Sequence, residues 1–469
     1  MNLLLDLIMG KGFPLFPNFM SGFLYWFSFI ISSIFVLMYF HQIIYLIVSA
    51  FVHVKIKPKE EVTQHKIGIV VSARNERNVL PNLIKSIQAN DYPKELVTIF
   101  VVADNCTDDT AQICRDLGCV VVERNDLEHI GKGFALHYLF TKLHTEEEYK
   151  DVVPEAYIIV DADNLLKPNY ITEMNKAFDS GYEMVTSYRN SKNFGENWIT
   201  SGYGYWFLHD SRHLNNGRML FNNSCAMMGT GFLIGTNIVK EFDNWKFFSL
   251  TEDVECSVEY ALSGRKMGYC GSAEFYDEQP TKFKQSWKQR ERWAKGFYQV
   301  FAMKGWPLVK AALTNFSCWD ILTSMMPAIF ITLISLITLP VCMIISACMG
   351  DMTNVLFGLQ CLVISLIPLY ASMFVIALLT CITEWKKILA NPFKKILYIF
   401  TFPVFMASYI PICFIALFKK VEWKPIEHTS TMTMEDIAEE EKLQELPLDE
   451  QMKIMHQHEE NKKNKRDSA

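Results

Sequence analysis

The chain has 469 residues, half of them hydrophobic, with 34 Phe and 22 Met, a length that allows two or three domains. A formal charge of −6 carries no nucleic-acid signature. Twelve cysteines without a CxxC pair or framework spacing exclude a disulfide scaffold; Cys106, Cys114 and Cys119 read as small core residues, not metal ligands.

In chain order, residues 22–52 come first, with no Asp, Glu, Lys or Arg. About 20 apolar residues span a bilayer, so this run predicts one transmembrane helix. It is too long for a signal-peptide core and lacks a small-residue cleavage pattern. Lys55, Lys57 and Lys59 follow it and only Lys11 precedes it, which puts the following domain in the cytosol. Four apolar runs then predict buried strands: Ile67–Val71, Thr98–Ala103, Cys119–Val122 and Ala156–Val160. Between them, residues 77–89 carry helical spacing, Thr107-Asp108-Asp109-Thr110 supplies N-cap chemistry, and Gly131-Lys132-Gly133 opens another helix. This alternation predicts a mostly parallel sheet covered on both faces, with ligands bound beyond the carboxyl ends of its strands. Glu76, Asp104, Asp161 and Asp163 all fall there.

Three constellations carry chemistry. Asp161-Ala162-Asp163 follows a buried strand; the two carboxylates suit a hard cation such as Mg2+ or Mn2+, or one holds the cation and the other the ribose. In Thr251-Glu252-Asp253 a carboxylate can take the proton from an acceptor hydroxyl, while Thr251 followed by acids also starts a helix well. In Gln289-Arg290-Glu291-Arg292-Trp293 a helix would place Gln289, Arg292 and Trp293 on one face, offering a fixed cation for a diphosphate and a flat surface for a sugar ring. Neighbouring Lys284, Trp287, Lys288 and Lys295 fit a helix lying on a membrane surface. Lys132 can reach a phosphate or sit in solvent; Gly229-Thr230-Gly231 allows close backbone approach to a ligand or forms a plain turn.

Downstream there is no Lys or Arg between Lys310 and Lys386, and apolar stretches run over 321–349, 352–383 and 396–418. Lys386, Lys387, Lys394 and Lys395 mark the last linker as cytosolic. Four spans put the tail outside, whereas Lys419, Lys420 and Lys424 argue for inside; Pro403 and Pro411 suggest that the last segment is broken or re-entrant. From Glu435 onward the chain reads as a solvated helix with a disordered tip.

Taken together, SARNE, Asp104, DAD, TED and QRERW resemble, in order and spacing, the processive glycosyltransferase family 2 enzymes, which include cellulose, mixed-linkage β-glucan, hyaluronan and poly-N-acetylglucosamine synthases. The resemblance covers residues 65–420. It implies an α/β GT-A fold, inverting transfer, a UDP-sugar donor and a Mg2+ or Mn2+ cofactor. It assigns uridine to Glu76 and Asp104, with Ala73 and Lys132 also on the donor side, and nucleotide support to Asp161. Metal ligation goes to Asp163 with Asp161, and the base to Asp253 with Glu252 beside it. Gln289, Arg292 and Trp293 hold the diphosphate and acceptor end, and Gly229, Thr230, Gly231 and Thr251 line the acceptor side. Trp423, His428 and Thr429 occupy the place of a gating loop, though the pattern differs. The expected layout is an N-terminal segment over 1–60, a cytosolic GT-A domain over 61–285, amphipathic interfacial helices over 286–320, transmembrane helices over 321–418, and a gating segment with charged tail over 419–469. The expected function is synthesis of a β-linked polysaccharide, UDP-glucose and β-glucan favoured, with secretion through the enzyme's own plasma-membrane helices. A hyaluronan or poly-N-acetylglucosamine synthase and a non-processive lipid glycosyltransferase are the alternatives. The expected partners are the donor, the growing polymer and the bilayer, with no nucleic acid.

Overall fold

The computed structural model describes residues 19–325, 327–423, 430–451 and 453–454, and the statements below concern these. The four predicted strands are present as β1 (Ile67–Ala73), β2 (Val97–Asp104), β3 (Val120–Arg124) and β4 (Ala156–Asp161). All four pair in parallel, because each is an apolar run buried between helices. The sheet continues through β5 (Leu165–Leu166), β6 (Met184–Ser191), β7 (Phe232–Gly235) and β8 (Gly268–Asp277), giving the order β3-β2-β1-β4-β7-β6-β8-β5. β7 runs antiparallel to both β4 and β6, so the sheet is mixed. Val70, Phe100, Tyr157, Phe232 and Trp245 fill the core on one face; Ile69, Val101, Ile158, Leu166 and Phe275 fill it on the other. This is the GT-A arrangement: a parallel half, then an antiparallel strand and a second half.

The chain divides into two compact units, residues 1–41 with 326–372 and residues 42–325 with 373–469. The first contains parts of three long apolar helices, packed around Leu24, Leu339, Cys342 and Cys361. Four helical segments are long and apolar enough to cross a membrane: Phe19–Phe51, Phe330–Cys348, Met352–Thr383 and Pro392–Phe418.

The last of these differs from the others. It is two helices, Pro392–Ala407 and Tyr409–Phe418, joined at Ser408. Of its most apolar window 39% is buried, against 6% for Met352–Thr383, so protein covers much of what a plain span would show to lipid. At its N-terminal end the buried Lys395 donates to the Gln444 side chain at 2.8 Å. Just past its C-terminal end Lys419 bridges both oxygens of Glu291 at 2.9 Å. The tail helix, Met434–Glu445, is capped by Thr433 and packs Ile437 against Leu165, Tyr276 and Leu389. The tail helix is therefore docked on the sheet through Ile437 and the Lys167–Glu441 ion pair, not solvated as its composition suggests; Lys386–Glu445 is an exposed pair that adds little.

Candidate active site

The site is assembled where β1, β2 and β4 end. Ala73 pairs with Ala103, and Ser72 with Asp161, so the strand tips stand side by side. Beyond β1 and β2 the chain turns at Asn75 (φ +60°) and Asn105 (φ +54°), a left-handed conformation that Asn tolerates better than most residues. The two loops are fastened together: the Thr107 N–H donates to Asn75 Oδ1 at 2.7 Å, and the Glu76 N–H to Thr110 Oγ1 at 3.0 Å. Asp109 stands at the N-cap of the Thr110–Asp116 helix but makes no capping bond; Asp108 accepts from the Thr110 N–H instead.

Asp104 lies 4% exposed, and Arg124 Nη1 donates to its Oδ1 at 2.6 Å. Burial holds this carboxyl above its ordinary pKa while Arg124 works in the opposite direction. Arg124 is a candidate site residue that lies outside the sequence motifs. Its signal was weak, a lone Arg ending an edge strand, and only the β2–β3 register aligns it with Asp104.

Lys132, at the start of the Lys132–Thr145 helix, donates to Asp161 Oδ1 at 2.5 Å and to the Gly229 carbonyl at 2.9 Å. The helix can begin there because Gly133 has no Cβ; one would lie 2.1 Å from the Phe247 carbonyl oxygen. Burial works against the ammonium charge, but Asp161, Glu252 and Asp253 outweigh it and hold the Lys132 pKa above its usual value. Lys132 thus faces the carboxylates and is not a solvated surface lysine.

Asp163 is 5% exposed; its Oδ2 accepts the Glu278 N–H at 2.7 Å and its Oδ1 accepts from Asn164 Nδ2 at 3.3 Å. Among the described residues no three His, Cys, Asp or Glu side chains converge as a metal cage. The acidic pair suits a hard cation that draws its other ligands from phosphate and water, as Mg2+ and Mn2+ do. Thr230 Oγ1 receives the Asp161 N–H at 2.8 Å and donates to Asn164, so the glycine loop is pinned to DAD. Gly229 and Gly231 both have positive φ, +85° and +67°, and a Cβ on Gly231 would strike the Phe275 ring.

Thr251 is the N-cap position of the Glu252–Leu262 helix, although its buried hydroxyl makes no capping bond. The acids at this helix start are favoured by its dipole. Burial pushes both carboxyls up, Glu252 to about 7, with Lys132 and Arg292 opposing the rise. A Cβ on Gly229 would lie 3.8 Å from Asp253 Oδ2, so the candidate base and the glycine loop face each other.

QRERW lies within one helix, Phe283–Ala312. Arg292 Nη1 donates to the Leu250 carbonyl at 3.0 Å, and the Leu250 N–H donates to Gln299 at 2.9 Å, which ties this helix to the TED loop. Gln289 Oε1 is buried without a partner among the described residues. Trp293 meets the edges of Tyr203 and Phe207, with centroids 5.8 and 6.3 Å away. Arg290 points elsewhere: fully buried, it donates to the Phe405 carbonyl and to Ser408 Oγ, holding the broken apolar segment.

The family profile described as "Glycosyltransferase like family 2" matches residues 65–296, the stretch that contains every one of these groups from β1 to Trp293. The chain carries a glycosyltransferase family 2 domain. A β-monoglucosyldiacylglycerol synthase of Synechocystis is 24% identical over 242 residues, covering 50% of this chain and 48% of the relative. A poly-β-1,6-N-acetyl-D-glucosamine synthase of Staphylococcus epidermidis is 22% identical over 255 residues, 52% of this chain and 57% of that one. The chain spans about half the length of the curated relatives it matches. A mannosyltransferase of Pyrobaculum calidifontis, solved with GDP-mannose and Mn2+, shares the fold at a TM-score of 0.52 with 14% identity, covering 84% of this chain and 99% of that one.

The C-terminal segment also reaches the candidate site. The Arg74 guanidinium stands 5.8 Å from the centre of the Trp423 ring. The Ser430 N–H donates to Glu278 at 3.0 Å, and Asn82 donates to the Thr431 carbonyl at 3.1 Å. Of the expected gating residues, Trp423 is thus beside the SARNE loop; His428 and Thr429 lie outside the described residues.

Proposed function

We propose that this glycosyltransferase is an inverting, membrane-bound polysaccharide synthase that uses a UDP-sugar, with UDP-glucose and a β-glucan as its donor and product. In this reading Ala73, Glu76 and Asp104 hold the nucleoside, Asp161 supports the nucleotide, Lys132 reaches a phosphate, and Gln289 and Arg292 hold the departing diphosphate. Asp163, with Asp161, would hold a Mg2+ or Mn2+ ion, which supplies charge neutralisation for the leaving group. Asp253 removes the proton from the acceptor hydroxyl as that oxygen attacks the donor sugar at C1, and UDP leaves from the opposite face. Trp293 carries the acceptor sugar on its ring, with Gly229, Thr230, Gly231 and Thr251 shaping the floor beneath it.

One observation carries the polymer reading. A single helix brings Arg292 onto the TED loop, with Trp293 beside it, and Arg290 into the apolar 392–418 pair, which supports an acceptor platform carried on the same helix that holds an apolar segment. A chain extended on Trp293 starts at the membrane. The docking of Lys395, Lys419 and the tail helix on the catalytic unit favours three crossings, with the 392–418 pair in the interface and the tail beside the cytosolic domain. The plasma membrane is the compartment this reading implies.

A second reading is transfer of one sugar to a lipid, because a relative is a glucosyldiacylglycerol synthase. Membranes given labelled UDP-glucose or UDP-N-acetylglucosamine, extracted with organic solvent and digested with linkage-specific glycanases, separate the two. Label in a glycanase-sensitive product of high mass is expected; label confined to the organic phase overturns the polymer reading.

A further inference from the structure

We infer that Arg189 is a positioning residue for transfer, joining the donor-side carboxylates to the loop under the acceptor; the inference rests on the site reading above. Arg189 lies near the end of β6 and is 8% exposed. Each of its three guanidinium nitrogens is engaged. Nε donates to Asp277 Oδ2 at 2.8 Å, Nη2 donates to the same oxygen, and Nη1 donates to the Met228 carbonyl at 2.5 Å. Its plane lies over the Phe207 ring, 3.5 Å from the ring centre.

Each partner leads to a different part of the chemistry. Asp277 is followed by Glu278, whose N–H is bonded to Asp163 Oδ2. Met228 precedes Gly229, which takes the Lys132 hydrogen bond on its carbonyl and faces Asp253. Phe207 packs edge-on against Trp293. One cation therefore spans the segment that fixes the candidate metal carboxylate, the loop that faces the candidate base, and the support of the acceptor ring. Charge alone does not account for this placement, because a buried ion pair is commonly no more stabilising than apolar residues of the same shape. What the guanidinium adds is a rigid planar fork with a stacking face, which a lysine cannot reproduce.

The test is a KM-against-kcat comparison in the full-length membrane enzyme, with turnover read as UDP released from UDP-glucose and UDP affinity measured separately. Arg189→Lys is expected to keep UDP affinity and donor KM within about threefold of the parent, while kcat falls about a hundredfold, the cost of misplacing reacting groups by about an ångström. Asp277→Asn, which keeps the side-chain shape, is expected to give the same split and serves if Arg189→Lys does not fold. Arg218→Lys, at the separate buried pair with Asp320, is the control: a lowered melting temperature with kcat per folded enzyme held. Unchanged kcat in Arg189→Lys and Asp277→Asn, or a loss of UDP affinity parallel to kcat, overturns the inference. A glycolipid product from the parent enzyme overturns the polymer reading and leaves this comparison intact, because released UDP reports either product.

Discussion

Thr251 and Gly296 meet with no room for another carbon: a Cβ on Gly296 would lie 2.5 Å from the Thr251 hydroxyl oxygen and 2.8 Å from its backbone nitrogen. The QRERW helix is thereby seated on the loop that carries the candidate base. An alanine would favour the helix by about 1 kcal/mol in an open position. Here it must push the helix away from TED. Gly296→Ala is expected to lower kcat at least tenfold with UDP affinity retained, as steady-state kinetics and UDP titration will show; an alanine variant with full turnover contradicts the seating role.

Asp253→Asn should abolish sugar transfer and leave UDP binding near the parent value, since the amide keeps the shape and cannot take a proton. Asp163→Ala should remove activity and also the dependence of UDP affinity on Mg2+ or Mn2+, measured by titration with and without the ion. Polymer formation by the first variant, or metal-dependent UDP affinity in the second, would sink the respective assignment.

The raised Glu252 and Asp253 carboxyls predict a pH dependence. A base must be ionised, so turnover should fall as pH drops, with the fall displaced upward from the ordinary aspartate range because burial raises the Asp253 carboxyl. Glu252→Gln removes a like charge from Asp253 and should move this acid limb to lower pH. Stability follows the opposite slope. A carboxyl whose folded pKa is raised stabilises fully below its ordinary value and loses that contribution as pH rises through the folded one. Denaturation curves should therefore show Glu252→Gln gaining on the parent from pH 5 to pH 8, and a constant difference would contradict the burial argument.

Arg218 and Asp320 form an ion pair at 2.8 Å, with side chains 3% and 0% exposed. Arg218→Met leaves a buried carboxylate without its cation and should cost about 3–5 kcal/mol. Arg218→Met with Asp320→Leu should recover most of that loss. A double variant no better than the single one, in thermal unfolding, would mean that the pair is not the unit that matters.

Docking of the tail predicts its side of the membrane. A cysteine at Glu439 should react with an impermeant maleimide only in opened vesicles where a cysteine at Arg77 also reacts. Labelling of Glu439→Cys alone in intact cells would place the tail outside and return the 392–418 pair to a full crossing.

Local pattern carried much of this protein. Each of the first four strands has an apolar run at its centre, and Asp104 and Asp161 close two of them, so strand, helix and candidate ligand were readable within short windows. The same holds for the four long apolar segments, whose length and composition alone make them candidate spans. β6 is different. It is buried along its whole length yet spells Met-Val-Thr-Ser-Tyr-Arg-Asn-Ser, and its polar groups are paid for by partners far away in sequence, such as Asp277 for Arg189 and Glu384 for Tyr188. No periodicity records such pairs. For the same reason only the tertiary structure decided that Lys132 faces Asp161, that Arg124 holds Asp104, and that Arg290 turns away from Trp293 into the apolar pair. Sequence determines which groups exist and which local element bears each one. Which groups meet is set by long-range packing, where burial makes every unpaired charge costly and so selects its partner.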